Sequence, residues 1–215
     1  SLVHHMGKEE KSHHQAKGNI DAWTAELAGD GLDAVVITAS GCGTTVKDYG
    51  HMLANDPAYA QKAKTISSLA RDITEYLAEL DVDADVFAKA DHGNPRVAYH
   101  SACSMQHGQK ITRPPRDLLK MAGFDVAEIA EGHLCCGSAG VYNLLQPEIA
   151  GQLQERKRGN IRNTNPDLVA TGNIGCMIQI ETDDLKVVHT VQLLDWAAGG
   201  PRPSKLKAPS LQGAN

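Results

Sequence analysis

Glu131-Gly132-His133-Leu134-Cys135-Cys136-Gly137-Ser138 is the stretch around which this chain is organised. Two adjacent cysteines are hard to join to each other without strain, so Cys135 and Cys136 are better suited to present two thiolates to another group. Gly137 follows at once, and glycine permits a tight turn or a close approach of the backbone to a bulky group. We therefore expect a thiol site here.

Other cysteines also follow apolar runs that predict short strands. They lie in Ser40-Gly41-Cys42-Gly43, in Tyr99-His100-Ser101-Ala102-Cys103 and in Thr171-Gly172-Asn173-Ile174-Gly175-Cys176. This places the cysteine segments at strand ends, where α/β sheets usually keep their chemistry.

The composition limits the possible functions. Of the 215 residues, 41% are hydrophobic and 22% charged, which is typical of a soluble globular protein with one large or two small domains. The net charge of -5 and the lack of a basic stripe argue against a nucleic-acid partner. No apolar run approaches the roughly 20 residues of a transmembrane segment. Five cysteines, an odd number, favour metal or redox use in a reduced cytoplasm.

Short apolar runs rich in β-branched residues predict buried parallel strands, alternating with helices. Strands are expected at 33–39, 96–101, 124–130, 167–171 and 186–190. Helices are expected at 7–28, 57–80, 114–122 and 147–163, with a last short helix through Trp196. The glycines around Cys42 predict a tight turn that presents this thiol. The alternation predicts an α/β fold with parallel sheets flanked by helices.

An internal repeat indicates two modules. Lys17-Gly18-Asn19-Ile20, a strand and Cys42 parallel Arg158-Gly159-Asn160-Ile161, a strand and Cys176. We therefore expect two pseudo-symmetric modules, the first of them truncated. The predicted divisions are 1–93 for the C-terminal part of the first module, 94–198 for the second module and 199–215 for a disordered tail.

Together these motifs resemble the tandem cysteine-rich CCG domain family. That family includes the iron–sulfur subunit of glycolate oxidase, a lactate-utilisation protein and the B subunit of heterodisulfide reductase. The resemblance covers about residues 1–198 and looks closest to the glycolate oxidase form. Its four motifs are Ala39-Ser40-Gly41-Cys42-Gly43-Thr44, Tyr99-His100-Ser101-Ala102-Cys103, Cys135-Cys136-Gly137-Ser138-Ala139-Gly140 and Gly172-Asn173-Ile174-Gly175-Cys176-Met177-Ile178-Gln179.

The resemblance implies an electron-transfer subunit of a glycolate dehydrogenase complex. Flavoprotein subunits would oxidise glycolate, and this subunit would pass the electrons toward a membrane quinone pool. The expected location is the cytoplasm, at the inner face of the cell membrane, with peripheral association through the complex. The chain departs from the heterodisulfide reductase form, whose last motif is Cys-x-x-Cys, because Gln179 follows Cys176 and Thr45 follows Cys42.

Four thiolates could hold a [4Fe–4S] cluster: Cys103, Cys135, Cys136 and Cys176. Cys42 is either a ligand of a first site or a buried thiol. Zinc is the alternative metal, with His100 or His107 contributing a nitrogen. A third interpretation is a metal-free thiol/disulfide centre or simply buried cysteines.

Residues beside the cysteines could tune such a centre. His100 and His133 either donate hydrogen bonds to sulfur or satisfy backbone carbonyls. Gly137 leaves its N–H free to approach a sulfur, and Gln179 occupies the position of the last cysteine in the heterodisulfide reductase form. Two other functions stay open: a zinc-stabilised scaffold that docks a flavoprotein subunit, and the related lactate-oxidising or heterodisulfide-reducing subunit. The sequence has no complete dinucleotide fingerprint or Walker loop, so flavin and nucleotide binding are not predicted.

Overall fold

The computed structural model describes residues 2–206 and has the predicted α/β fold, with parallel sheets flanked by helices. Within this range the strands are β1 Val35–Ile37, β2 Ala70–Asp72, β3 Arg96–Tyr99, β4 Asp125–Ala127, β5 Leu168–Thr171 and β6 Val187–His189. The helices are α1 Leu2–His5, α2 Glu9–Ala28, α3 Ser40–Lys47, α4 Tyr49–Met52, α5 Ala60–Leu69, α6 Ile73–Glu79, α7 Pro114–Met121, α8 Tyr142–Leu145, α9 Pro147–Arg162, α10 Ile174–Ile180 and α11 Thr190–Ala197. No helix in this range is both long and apolar enough to cross a membrane.

The larger sheet has the strand order β4-β3-β5-β6, with every pair parallel. Side chains alternate between its faces: Val97 and Tyr99 enter a core cluster with α7 and α11, whereas Ala98 enters a second cluster with α9 and α10. From β3 the chain continues to β4 on one side of the sheet, and from β5 it continues to β6 on the other side. The direction of strand addition therefore reverses between the neighbouring strands β3 and β5. Ligand crevices form at the carboxyl ends of strands at such a reversal.

The smaller sheet pairs β1 with β2 in parallel and packs with α2, α3 and α5 around a third cluster that includes Ile20, Val46 and Ile66. The two sheets contain different numbers of strands, and the predicted pseudo-symmetry of two modules is not confirmed. The divisions at 1–93 and 94–198 stay predictions.

The predicted single helix over 57–80 is wrong, because it is divided into α5, β2 and α6. Ala70–Asp72 is extended and pairs with β1, and Asp72 then caps α6. The Asp72 carboxylate accepts from Thr74 N at 2.9 Å, while the Glu75 carboxylate accepts from Asp72 N at 3.1 Å. Apolar residues keep helical spacing on both sides of the break, so the periodicity does not reveal the inserted strand.

The predicted turn around Cys42 is also wrong: Ser40-Gly41-Cys42-Gly43 forms the first turn of α3. A Cβ at Gly43 would lie 2.7 Å from Nε2 of Gln109, so this side chain, which donates to Ser40 O, would have to shift. At the other end of the chain, Lys205 donates to Glu181 at 2.6 Å, within the predicted tail. Residues 207–215 of that tail lie outside the described residues.

Candidate metal centre

All five cysteines line one cavity of about 560 Å³ at the carboxyl ends of the strands. The cysteines are Cys42, Cys103, Cys135, Cys136 and Cys176. Cofactor and ligand sites commonly have volumes of about 300–1,000 Å³. The cavity is therefore large enough for a prosthetic group, and its chemistry is dominated by sulfur.

Strand ends position the thiols of the larger sheet. Cys103 follows β3 and directly precedes a π-helical turn over Ser104–Gly108. Such turns occur often at functional sites. Cys176 is the third residue of α10, immediately after β5, and its N–H donates to Oδ1 of the capping Asn173 at 3.2 Å. Cys135 and Cys136 follow β4 in a loop held by α9.

Cys42 reaches the same cavity from the smaller sheet. It is the third residue of α3, as Cys176 is of α10, and the first turns of these two helices meet. Ser40 N donates to Gly172 O at 3.0 Å, and Asn173 Nδ2 donates to Ser40 Oγ at 3.0 Å. Cys42 is exposed, so of the two alternatives for this residue the buried thiol is wrong.

Hydrogen bonds between sulfurs divide the remaining thiols into donors and acceptors. The Cys136 thiol donates to Cys176 Sγ at 3.2 Å, and the Cys103 thiol donates to Cys135. Donation raises the pKa of Cys103 and Cys136. The hydrogen bonds that they accept lower the pKa of Cys135 and Cys176. The pocket therefore favours thiolates at two positions, and thiolates are the form that binds soft metals.

Gly137 shapes the turn after the double cysteine. Its φ of +92° lies in the left-handed region, and a Cβ would collide with the carbonyl oxygen of Ala150. Its N–H donates to Cys135 Sγ at 3.4 Å, the type of contact expected for this residue. Gln179 lies behind the turn, where its Oε1 accepts from Asn143 Nδ2 at 3.2 Å.

His100 is the histidine that faces the thiols. It is 1% exposed, and a ring nitrogen lies within 4.8 Å of the sulfurs of Cys136 and Cys176. Its Nε2 atom has no hydrogen-bond partner of good geometry among residues 2–206. The ring nevertheless lies close enough to Cys176 to favour its thiolate and lower its pKa. His100 is thus placed either to bind a metal or to donate to sulfur.

His107 and His133 are placed differently. Both are exposed, and His107 Nε2 donates to the backbone oxygen of His133 at 3.3 Å. Neither residue is among those that line the cavity. A role for either ring at the sulfurs therefore gains no support from the described contacts.

Two residues that the sequence analysis missed hold the cysteine loops. Gln106 Nε2 donates to Ser101 O at 3.0 Å and to Gly132 O at 3.1 Å, which ties the Cys103 segment to the double-cysteine loop. Lys157 Nζ donates to Glu131 O at 2.9 Å. No sequence motif predicts the contacts of Gln106. The four-residue spacing of Lys157 and Ile161 could have indicated that Lys157 lies on the buried face of α9.

The donor set fits a thiolate-bound metal group. Thiolates bind both iron–sulfur clusters and zinc, and a single zinc ion takes four ligands. Five cysteines around a cavity of about 560 Å³ offer more sulfur and more space than one zinc ion needs. The arrangement therefore suits a multi-iron cluster better than a mononuclear site.

Comparisons with known proteins agree with this chemistry. Residues 97–181 match the family model of CCG, described as a cysteine-rich domain. The chain is 37% identical over 198 residues to the "Glycolate oxidase iron-sulfur subunit" of Escherichia coli (strain K12). These aligned residues cover 92% of this chain and 47% of that protein. It is 32% identical to the "Probable glycolate oxidase iron-sulfur subunit" of Bacillus subtilis (strain 168), covering 93% of this chain and 46% of that protein.

A further relative carries a different name. The "Lactate utilization protein A" of Oceanobacillus iheyensis is 29% identical over 171 residues, which cover 75% of this chain and 68% of that protein. The chain spans about half the length of the two glycolate oxidase subunits that it matches.

Proposed function

Because the chain carries a cysteine-rich domain of the CCG family at residues 97–181, we propose that it is an iron–sulfur electron-transfer part of a glycolate-oxidising complex. The observation that carries this proposal is the single cavity lined by all five cysteines. The similarity to subunits that are named for glycolate oxidase and for iron–sulfur supports the substrate and the cofactor.

We assign Cys103, Cys135, Cys136 and Cys176 as ligands of a [4Fe–4S] cluster. Such a cluster, when bound, supplies a centre that accepts and releases one electron at a time. Cys42 lines the same cavity and is our candidate for a fifth thiolate. The missing second cysteine of the last motif, where Gln179 stands, is thus offset by a thiol from the smaller sheet.

The chain's own residues prepare these thiols. The hydrogen bonds from Cys103 and Gly137 stabilise negative charge on Cys135. The hydrogen bond from Cys136 and the nearby ring of His100 do so on Cys176. Hydrogen bonds to ligand sulfurs are among the factors that set a cluster's potential. We therefore propose that Gly137 and His100 tune the centre.

We propose that flavoprotein subunits of the same complex oxidise glycolate and deliver electrons to this chain. The names of the relatives describe subunits, which supports further chains in the assembly. We place the complex in the cytoplasm at the inner face of the cell membrane, with peripheral association through other subunits. Lactate is the alternative substrate, supported by the similarity to lactate utilization protein A.

A zinc-stabilised scaffold that docks the flavoprotein is the second candidate function. The grouping of His100, Cys136 and Cys176, with ligand atoms within 4.8 Å of one another, favours it. Zinc commonly takes such mixed nitrogen and sulfur ligands. In this case the domain would have a structural role, and electron transfer would occur elsewhere in the complex.

Anaerobic substrate reduction tests the proposal. The tagged chain is purified with the subunits that co-purify, and glycolate or lactate is added while visible absorbance is recorded. We expect a brown complex whose absorbance falls with glycolate, and a colourless preparation from a Cys136→Ser variant of equal yield. A colourless parent that contains stoichiometric zinc would support the scaffold, and reduction by lactate alone would reassign the substrate.

A further inference from the structure

Lys157 is a fully buried lysine to which the proposed electron transfer assigns no role. Its side chain is 0% exposed, and it shares the buried face of α9 with Ala150 and Ile161. Lysine is almost never fully buried unless it is paired. Its burial therefore calls for a partner of opposite charge.

The hydrogen bonds of Lys157 do not provide that partner. Nζ donates to the backbone oxygen of Glu131 at 2.9 Å, and it forms no ion pair with a carboxylate among residues 2–206. The nearby Glu131 carboxylate is engaged by Arg156, whose Nε donates at 2.8 Å, and by Asn160 Nδ2 at 2.9 Å. One neutral carbonyl does not offset the loss of hydration of a buried ammonium.

Cysteine ligands, once ionised, are a source of negative charge around this lysine. Burial lowers the pKa of Lys157, whereas ionised Cys103, Cys136, Glu131 and Cys135 act in the opposite direction and favour its charged form. The lysine also holds the loop that carries the double cysteine, through Glu131 O. Its position is therefore both electrostatically coupled and structurally connected to the proposed ligands.

We infer that Lys157 is the positioning residue that supplies the buried positive charge balancing the cysteine ligands, and that it raises the reduction potential of the centre they hold. This inference rests on the proposed iron–sulfur function. A cluster held by thiolates gains negative charge on reduction, and a nearby buried cation stabilises that more negative state. Water and salt screen buried charges less than exposed charges.

Three variants of the full chain separate charge from packing and hydrogen bonding. Lys157→Met keeps the length and apolar stem but removes the charge. Lys157→Gln removes the charge and keeps a donor for Glu131 O. Arg156→Met is the matched control, because it removes a positive charge from the adjacent position of α9, where the side chain is largely exposed and pairs with Glu131.

The experiment measures iron and sulfide content, then the midpoint potential by reductive titration. We expect all three variants to hold iron and sulfide. The potentials of Lys157→Met and Lys157→Gln should shift to more negative values, whereas Arg156→Met should match the parent. Thermal unfolding of each variant, followed by circular dichroism, reports folding independently of the cluster.

Each result distinguishes this inference from the function on which it rests. A parent without iron would overturn the iron–sulfur function itself. An iron-loaded parent whose potential is unchanged in Lys157→Gln would overturn the inference, since the hydrogen bond alone would then suffice. If Lys157→Met does not fold, the Gln variant decides; if neither variant folds, Lys157 has a structural role and the inference is wrong.

Discussion

Gly137 shows at the scale of one residue how the backbone serves the thiol pocket. Its left-handed φ and its contact with the Ala150 carbonyl leave no room for a Cβ. We predict that Gly137→Ala lowers the free energy of unfolding by about 1–3 kcal/mol, through strain and collision. Urea denaturation measures this change.

Gly151→Ala is the matched control, since Gly151 lies in α9 and a Cβ there would meet nothing within 4 Å. Replacing a glycine inside a helix stabilises by roughly 0.5–1 kcal/mol. The two Gly→Ala variants should therefore change stability in opposite directions. Equal stability of the parent and Gly137→Ala would contradict the packing described for this turn.

Glu131 should make stability depend on pH. The hydrogen bonds from Arg156 and Asn160 lower the pKa of Glu131 from 4.5 to about 2. A carboxyl with a lowered pKa stabilises the fold above its ordinary pKa, and this contribution is lost as pH falls toward about 2. The midpoint temperature of thermal unfolding should be lower for Glu131→Gln than for the parent at pH 7, and the two temperatures should converge at acid pH. A difference between them that does not change with pH would contradict this.

The positions of single residues could be predicted from the sequence in some cases and not in others. The segments of Cys103, Cys135 and Cys176 were predicted at strand ends, where the structure places them. The entry of Cys42 into their cavity was not predicted, because it depends on how α3 meets α10 across two sheets. Burial of Lys157 likewise depends on packing that no short motif encodes.

At the scale of elements, the cap of α10 sets the position of Cys176. Asn173 Oδ1 accepts from Cys176 N, and Asn173 Nδ2 donates to Ser40 Oγ. We predict that Asn173→Ala costs about 0.5–2 kcal/mol of stability, the usual range for loss of such a cap. Denaturant titration gives this value.

Asn173→Asp separates the two contacts, because the carboxylate keeps the cap but cannot donate to Ser40. We expect its stability to lie between those of the parent and Asn173→Ala. If Asn173→Ala were as stable as the parent, the cap would not be contributing as described.

Element boundaries followed from sequence where an apolar helical pattern and signals for the start and end of a helix coincide. Pro114 and Gly123 bracket α7, close to the predicted 114–122. The division of 57–80 was missed, because Ala70–Asp72 becomes a strand only by pairing with β1. Tertiary hydrogen bonding overrode a helical apolar pattern at that point.

At the scale of the whole molecule, the two sheets are joined by direct hydrogen bonds. His189 Nε2 donates to Thr38 O at 2.8 Å, and Gln109 Nε2 donates to Ser40 O at 2.9 Å. Because the cysteine cavity lies across this junction, its integrity requires both sheets to stay together. We therefore expect the two parts to unfold in one cooperative transition.

The two tryptophans report on this prediction. Trp23 packs against the cluster of the smaller sheet, and Trp196 packs against a cluster of the larger sheet. In the Trp23→Phe and Trp196→Phe variants, the one remaining tryptophan reports on the unfolding of one sheet. The midpoint of unfolding measured by its fluorescence should equal the midpoint measured by circular dichroism of the same variant. A tryptophan midpoint clearly separated from the circular dichroism midpoint would show that the sheets unfold independently.

Metal analysis of the anaerobically purified chain tests most directly whether the thiol cavity holds the proposed iron–sulfur cluster. Iron, acid-labile sulfide and zinc are measured in the parent and in a Cys135→Ser/Cys136→Ser variant, with circular dichroism confirming that both are folded. We expect iron with matching sulfide in the parent and loss of both in the variant. Stoichiometric zinc without sulfide in the parent, or iron retained in the folded variant, would contradict it.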